Sequence, residues 1–234
     1  MHLLIPAAGM GQRLSSEWQR QGKSQRNKLL LTLLGKPLLT WTLRAAEAAD
    51  RIHWIGIMGQ PEDRPDFEQI LAASSLTKPV KLIQGGATRQ QSVYNGLQAL
   101  PPEAEQVLIH DGARCLVTPD LLNRCADEIL TCSGLIAAIP VKDTIKVVDE
   151  TGMIQDTPDR RQLWAAQTPQ GFAVSTLKQC HEQGRRQGWA VTDDAALFER
   201  CGLPVKIVEG EDTNLKVTTA VDLAIAEFIL RQRA

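Results

Sequence analysis

Short runs of apolar residues alternate along the chain with longer segments in which apolar residues recur every three or four positions. The short runs predict strands and the longer segments predict helices. Strands are predicted at 2–6, 52–58, 80–84, 106–110, 134–141 and 205–208. Helices are predicted at 37–50, 66–75, 88–100, 118–131 and 174–187, then in a short helix capped by Thr192 and ending at Cys201, and in a final helix. Since the strands are apolar on both faces, the pattern indicates one α/β domain over 1–234, with a mostly parallel central sheet flanked by helices.

The pattern changes over 144–159. Ile145 and Val147 alternate with polar residues, the segment 149–152 has turn composition, and Met153 and Ile154 resume an extended run. This predicts a β-hairpin outside the main sheet, in an arm at about 142–163. Because a two-stranded arm is marginal alone in water, we expect it to pack on something else, and a second subunit is the natural candidate.

The final helix carries apolar residues at helical spacing and ends in Arg231 and Arg233. The spacing predicts one apolar face. It consists of Val221, Ala224, Ile225, Phe228 and Ile229.

The composition is that of a soluble globular protein of 234 residues, with 43% apolar and 23% charged residues. Twenty-six basic and 27 acidic residues give a net charge of -1, so no overall field attracts nucleic acid or an anionic membrane. Any anion site must therefore be local. The five cysteines are odd in number and form no CxxC pair, which argues against disulfides or structural zinc and favours a reducing cytoplasm. The apolar runs fall short of the roughly 20 residues that span a bilayer.

The first candidate site is the loop at 6–13, PAAGMGQR, directly after the first strand. Small residues let backbone N–H groups approach an anion. Leu14 stands where a dinucleotide fingerprint needs its third glycine, so that interpretation is weak. The flanking cations Arg13 and Lys28 favour a phosphate site over a tight turn without ligand. The polar segment 15–27 is either a loop over this site or an ordinary solvated loop.

Two further loops also follow predicted strands. They are 84–92, QGGATRQQS, and 107–114, VLIHDGAR. Ligands of open α/β sheets bind at the carboxyl ends of strands, where all three loops fall, and that coincidence is the main reason to expect a site. His110 by itself is interpreted as a hydrogen-bonded structural histidine.

Polar and cationic groups farther along could bind a second anionic substrate, and no hydrolase motif is present. If the acceptor is a phosphate, it is already a nucleophile. Its attack on a nucleotide α-phosphorus needs Arg, Lys and Mg²⁺ to neutralise charge rather than a general base.

Eight ordered blocks resemble one family across nearly the whole chain: the 2-C-methyl-D-erythritol 4-phosphate cytidylyltransferases of the non-mevalonate isoprenoid pathway. The blocks are PAAGMGQRL, Lys28, GGATRQQSV, HDGAR, VKDTIK, TPDRRQLWAAQTPQ, TDDA and NLKVT. The resemblance implies a Rossmann-like fold, a homodimer joined through the arm, and transfer of CMP from CTP to methylerythritol phosphate. Pyrophosphate leaves, and Mg²⁺ is bound mainly through the CTP phosphates. The family's usual HDAARP is HDGARC here, which suggests a looser loop with its chemistry retained.

The resemblance also implies roles for residues. Arg13 and Lys28 would stabilise charge on the CTP phosphates, and Arg160 and Lys216 would position the acceptor phosphate as further catalytic groups. Backbone contacts to the nucleotide are implied for Pro6, Ala7, Ala8, Gly9 and Gly11. The cytosine edge would be read by Gly85, Gly86 and Ser92. The ribose and the acceptor would be approached by Asp111, Gly112 and Arg114. Hydroxyls for the acceptor would come from Thr144, Thr168 and Thr192. Thr144 and Arg160 flank the arm and would reach the partner subunit's site.

Three alternatives stay open at this point. A ribitol-5-phosphate cytidylyltransferase would share the nucleotide half, although the arm and the 160–170 block favour methylerythritol phosphate. A regulatory module that senses CTP without turnover would not need a second phosphate clamp. Lys23 or Arg26 replaces Lys28 as the catalytic cation if the alignment shifts in the preceding segment.

Overall fold

The computed structural model describes residues 1–9 and 27–233. Seven of its strands form one sheet, in the order β11-β7-β10-β6-β1-β4-β5, and all of them are parallel except β10. These strands are β1 (His2–Pro6), β4 (Trp54–Gly59), β5 (Val80–Gln84), β6 (Gln106–Ile109), β7 (Gly134–Pro140), β10 (Trp164–Ala173) and β11 (Lys206–Glu209). The predicted α/β fold with a mostly parallel sheet is confirmed.

Helices cover both faces of this sheet. They are α1 (Leu38–Ala48), α2 (Arg64–Ala72), α3 (Arg89–Gln98), α4 (Pro119–Glu128), α5 (Val174–Gln187), α6 (Asp194–Arg200) and α7 (Ala220–Arg233). Successive residues of a strand point to opposite faces, so Leu3 and Ile5 pack in a core with α1 and α4, whereas Leu4 packs in a second core with α3, α5 and α6. Buried parallel strands thus separate two apolar layers, except at the edge strands β5 and β11, in which no residue is fully buried.

The sequence pattern did not predict β10, which lies antiparallel between β6 and β7. Its middle reads Gln167, Thr168, Pro169 and Gln170, and polar residues with a proline argue against a central strand. The strand accommodates them because its pairing with β7 shifts register between Ala166 and Gln170, and because the buried polar side chains are hydrogen-bonded.

The predicted cap of the short helix was wrong by one residue. Asp193, not Thr192, is the N-cap of α6, and its carboxylate accepts a hydrogen bond from Ala196 N–H at 3.0 Å. Both residue types are good caps, so local preference did not decide between them. Thr192 is exposed.

The apolar face predicted for the final helix is mostly exposed, although Ile229 packs partly against the core. Val221 and Phe228 are 67% and 65% exposed, and Ile225 is 43% exposed. The buried residues of α7 are Ala226 and Leu230, which pack in a third cluster with Leu33, Leu38, Cys115, Leu116 and Val217. Since α7 is apolar on more than one side, its periodicity alone did not select the buried face.

A small hairpin lies within the segment 144–159. β8 (Val147–Val148) and β9 (Ile154–Asp156) pair antiparallel in a sheet of their own, joined by a turn with Gly152 at a φ of 85°. A second small ribbon, β2 (Thr32–Leu33) with β3 (Lys36–Pro37), was not predicted.

No helix in the described ranges is long and apolar enough to cross a membrane. All five cysteines are free thiols.

Candidate active site

A cleft of about 240 Å³ opens at the carboxyl ends of β1 and β6. The chain runs from β1 through β4 to β5 on one side and then returns to place β6 on the other side of β1. The strand order therefore reverses between these two strands, and open α/β sheets bind ligands at such a point. The described residues that line the cleft are Pro6, Ala7, Ala8, Gly9, Lys28, Leu29, Gly86, Ala87, Thr88, Arg89, Ser92, Asp111, Gly112, Ala113 and Lys216.

Two loops meet closely on one side of the cleft, and glycines allow it. A Cβ at Gly85 would lie 2.6 Å from Ala8 Cβ of the first loop, and a Cβ at Gly86 would clash with Gln91 within the second loop. The second loop is fixed by Ser92, whose hydroxyl accepts from Gly86 N–H at 3.0 Å and donates to Thr88 O at 2.9 Å. The backbone that lines the cleft is thus held in place before any ligand arrives.

Asn27 ties the first loop to the turn that carries Lys28. Its buried side-chain amide donates to Ala7 O at 2.6 Å and to Asp63 Oδ2 at 2.7 Å, and its Oδ1 accepts from Leu29 N–H at 3.0 Å. Lys28 begins a short 3₁₀ helix, Lys28–Leu30, and its Nζ lies 3.4 Å from Val217 O. Asn27 therefore determines where Lys28 enters the cleft.

Asp111 lies between two cations. Arg89 Nε donates to its Oδ1 at 3.2 Å, and Lys216 Nζ donates to its Oδ2 at 2.6 Å. Burial alone would raise the pKa of Asp111, but the charges of Arg89 and Lys216 outweigh it and hold that pKa well below its usual range. With Lys28, the described lining of the cleft contains three cations and one carboxylate, so the cleft carries a local positive charge although the net charge of the chain is close to zero.

Arg89 also reaches a second carboxylate. Its Nη1 donates to Asp194 Oδ2 at 2.7 Å, at the start of α6. Burial opposes the charge of the guanidinium, but the two carboxylates raise the pKa of Arg89 above its usual value. Its Nη2 is buried and, within the described ranges, has no hydrogen-bond partner.

His110 and Thr168 support Asp111 from behind. Thr168 Oγ1 accepts from Asp111 N–H at 3.0 Å and lies 3.0 Å from His110 Nδ1, while His110 Nε2 lies 3.1 Å from Arg114 O. A carbonyl only accepts, so Nε2 carries the proton and Nδ1 accepts from the Thr168 hydroxyl. Burial lowers the pKa of His110 to about 4, which keeps the ring neutral. The prediction of a hydrogen-bonded structural histidine agrees with this geometry.

The chain segments that carry Lys216 and Arg114 are joined by a backbone hydrogen bond, but the two side chains point in different directions. Val217 N–H donates to Ala113 O at 2.9 Å, which brings Lys216 into the cleft. Arg114 donates instead to two main-chain carbonyls, Asn214 O at 2.7 Å and Ala166 O at 3.1 Å. In this structure Arg114 therefore braces the backbone around the cleft rather than lining it.

The structure brings most of the predicted nucleotide-binding residues together, with Gly85 and Thr168 just behind the cleft wall. Gly112 is buried, and its carbonyl accepts from Thr42 Oγ1 at 3.1 Å. Thr144 and Arg160 lie on the exposed arm, away from the described lining of the cleft. Arg13 and Gly11, like Lys23 and Arg26, lie outside the described residues.

Three side chains at the site were not predicted from the sequence: Asn27, Arg89 and Asp194. Arg89 and Asp194 lie in the blocks GGATRQQSV and TDDA, but only the tertiary structure shows that they meet, across 105 residues of sequence.

The described residues contain no group of three His, Cys, Asp or Glu side chains placed to hold a metal ion. Asp111, the carboxylate among the described lining residues, has both oxygens bound to cations. The donors present thus fit a metal carried on ligand phosphates better than one held by the protein.

The fold and the cleft define a class: an open α/β protein that binds a phosphorylated ligand between backbone loops and several fixed cations, as nucleotidyl transfer requires. Comparison with known proteins then identifies the family. A sequence model of the 2-C-methyl-D-erythritol 4-phosphate cytidylyltransferases (IspD) matches residues 1–232, and the chain belongs to this family of nucleotidyltransferases.

Individual relatives and solved structures support the same family assignment. The chain is 72% identical to the 2-C-methyl-D-erythritol 4-phosphate cytidylyltransferase of Crocosphaera subtropica, over 100% of this chain and 99% of that protein. It is 70% identical to that of Nostoc punctiforme over the same shares. The structure of 4-diphosphocytidyl-2C-methyl-D-erythritol synthase from Anaerococcus prevotii matches with a TM-score of 0.85 at 29% identity, covering 98% of this chain and 97% of that one. The Thermus thermophilus cytidylyltransferase structure gives a TM-score of 0.76 at 32% identity, covering 98% of each chain.

Proposed function

We propose that the chain carries out its family's reaction in this cleft, transferring CMP from CTP to 2-C-methyl-D-erythritol 4-phosphate and releasing pyrophosphate. The observation that carries the proposal is the convergence of Lys28, Arg89 and Lys216 in one cleft, beside two closely packed backbone loops, with Arg89 and Lys216 held on Asp111. The whole chain acts as one nucleotidyltransferase unit, in the cytoplasm, where its five free thiols stay reduced.

The nucleotide lies along the two loops. Backbone groups of 6–9, together with Gly11, hold the triphosphate side, and the backbone of Gly85 and Gly86 meets the edge of the cytosine. The Ser92 hydroxyl already donates its proton to Thr88 O, so it has only acceptor capacity left. An acceptor at that place suits the exocyclic amino group of cytosine, a donor.

The reaction needs charge neutralisation more than proton transfer. The acceptor phosphate is itself the nucleophile, and its oxygen attacks the α-phosphorus in line while the bond to the pyrophosphate oxygen breaks. Arg13 and Lys28 stabilise the charge that grows on the phosphate oxygens. Mg²⁺, bound mainly through CTP phosphate oxygens, neutralises further charge when present.

The acceptor half of the site uses two chains. Lys216 faces the cleft, with Thr168 behind Asp111, and Arg114 and Gly112 shape the wall. Arg160 donates to Lys142 O at 2.8 Å at the base of the exposed arm, and it reaches the partner's cleft together with Thr144. Thr192, exposed before α6, completes the hydroxyl set.

The arm itself supports a homodimer. Several of its apolar side chains are 38–66% exposed, more than a lone hairpin in water tolerates. They are Ile145, Val147, Val148, Met153, Ile154 and Trp164. Sedimentation of Ile154→Asp should show monomers, whereas Lys178→Asp, away from the arm, should leave the dimer intact. A dimeric Ile154→Asp chain would place the interface elsewhere.

Pyrophosphate release tests the reaction. The purified chain is mixed with Mg²⁺ and CTP and with either methylerythritol phosphate, ribitol 5-phosphate or no acceptor. Release only with methylerythritol phosphate is expected. Release only with ribitol 5-phosphate would keep the nucleotide half and overturn the acceptor, and tight CTP binding without release in any mixture would indicate a CTP sensor.

A further inference from the structure

Four charged side chains form a continuous row from the base of α6 to the cleft: Asp194, Arg89, Asp111 and Lys216. Asp194 accepts from Arg89 at 2.7 Å, Arg89 donates to Asp111 at 3.2 Å, and Lys216 donates to the other oxygen of Asp111 at 2.6 Å. The charges alternate in sign, so each group restrains the next. The row ends at Lys216, which lines the cleft.

Asp194 is the fixed end of this row. It is 1% exposed, and it is not among the described residues that line the cleft. Its N–H donates to Gln170 Oε1 at 3.1 Å, and so does the N–H of Ala195, so the start of α6 is attached to β10. On its far side, His181 Nε2 lies 3.3 Å from Asp194 Oδ1, outside hydrogen-bond geometry.

We propose that Asp194 is a positioning residue that acts through Arg89 to hold the Asp111 carboxylate, and with it the Lys216 ammonium, in place for the acceptor. The inference rests on the proposed function of the cleft. Arg89 divides its nitrogens between two carboxylates, one each. Without the charge of Asp194, the guanidinium is free to pair both nitrogens with Asp111, the geometry that arginine and carboxylate favour. That shift draws the carboxylate away from Lys216.

The charge state of Asp194 agrees with this role. Burial opposes its ionisation, but the adjacent Arg89 charge outweighs burial and lowers the pKa of Asp194 below its usual value. Asp194 is therefore an anion at neutral pH, and its neutral isostere asparagine removes the charge with little change of shape.

Asp194→Asn tests the proposal. The KM for methylerythritol phosphate should rise between about 10- and 100-fold, the loss expected when a binding group is misplaced. The Kd for CTP, measured by calorimetry without acceptor, should stay within about threefold, a factor worth less than 1 kcal/mol. Asp120→Asn is the matched control, because it makes the same change to an arginine-paired aspartate in the first turn of a helix, here α4, where the side chain is exposed and is not among the described residues that line the cleft. Its acceptor KM should equal that of wild type.

A second measurement separates positioning from general weakening of the fold. In a chain that already carries Arg89→Met, adding Asp194→Asn should change the acceptor KM by less than about twofold, because the link is already cut. Equal effects of Asp194→Asn in both backgrounds, or equal losses for CTP and acceptor, would overturn the proposal. If Asp194→Asn does not fold, Asp194→Glu retains the charge but displaces it, and an unchanged acceptor KM there would also overturn it.

The wild-type measurement keeps the two proposals distinguishable. A wild-type chain that binds CTP but releases no pyrophosphate with methylerythritol phosphate would overturn the proposed function, and this inference with it. An active wild type with an unaltered Asp194→Asn variant would overturn the inference alone.

Discussion

The neutral ring of His110 should make the protein sensitive to mild acid. Burial lowers the pKa of His110 to about 4 from an ordinary value of 6.5. In the window between these values the unfolded chain binds a proton that the folded chain excludes, so stability falls as the pH is lowered through it. From about pH 7 to about pH 4.5 this one group costs about 2.5 kcal/mol, at 1.36 kcal/mol per pKa unit.

The assay is urea unfolding of wild type and His110→Asn at both pH values. His110→Asn lowers stability at neutral pH, but it removes the titration, so its loss between the two pH values should be smaller than that of wild type by about 2.5 kcal/mol. His53→Asn serves as a control, because His53 is exposed. Parallel losses in wild type and His110→Asn would refute the neutral, hydrogen-bonded ring.

Three further substitutions test the cleft. Asn27→Ala removes three hydrogen bonds, one to a carboxylate, and should lower the free energy of unfolding by about 4 kcal/mol, measured by urea titration. Arg13→Ala or Lys28→Ala should lower turnover by about two to three orders of magnitude with folding intact, since each lost contact to developing charge costs about 3 to 4 kcal/mol. Steady-state pyrophosphate release measures this. Arg160→Ala should mainly raise the acceptor KM in the same assay.

Each of these predictions has an outcome that would contradict it. The control for Asn27→Ala is Asn95→Ala, which removes two hydrogen bonds of a partly exposed side chain and should lower the free energy of unfolding by about 1 kcal/mol. A loss of stability in Asn27→Ala no larger than that in Asn95→Ala would contradict the prediction. Wild-type turnover in Arg13→Ala or Lys28→Ala would reject charge stabilisation by that residue. An unchanged acceptor KM in Arg160→Ala would move the acceptor site away from the arm.

Much of the fold could be predicted from the sequence, because the buried parallel strands are nearly continuous apolar runs. β1, β4, β6 and β7 were predicted to within about two residues at each end, as local patterns allow. β10 was missed because its polar residues and Pro169 are acceptable in a central strand only when partners from other elements bind them. The apolar face predicted for α7 is not its buried face, because an apolar side chain does not specify which neighbour will cover it.

The glycine loops, Lys28, Asp111 and Lys216 were found from the sequence because each follows a strand or lies in a family block. Their local chemistry, and the need for local positive charge, follow from residue types alone. The contacts between these side chains do not follow from residue types. That Arg89 links Asp111 to Asp194, that Asn27 joins two loops and that Arg114 braces the backbone depend on side chains distant in sequence meeting in space. Local patterns determine the elements and the residue chemistry, and only tertiary packing decides which charges become partners.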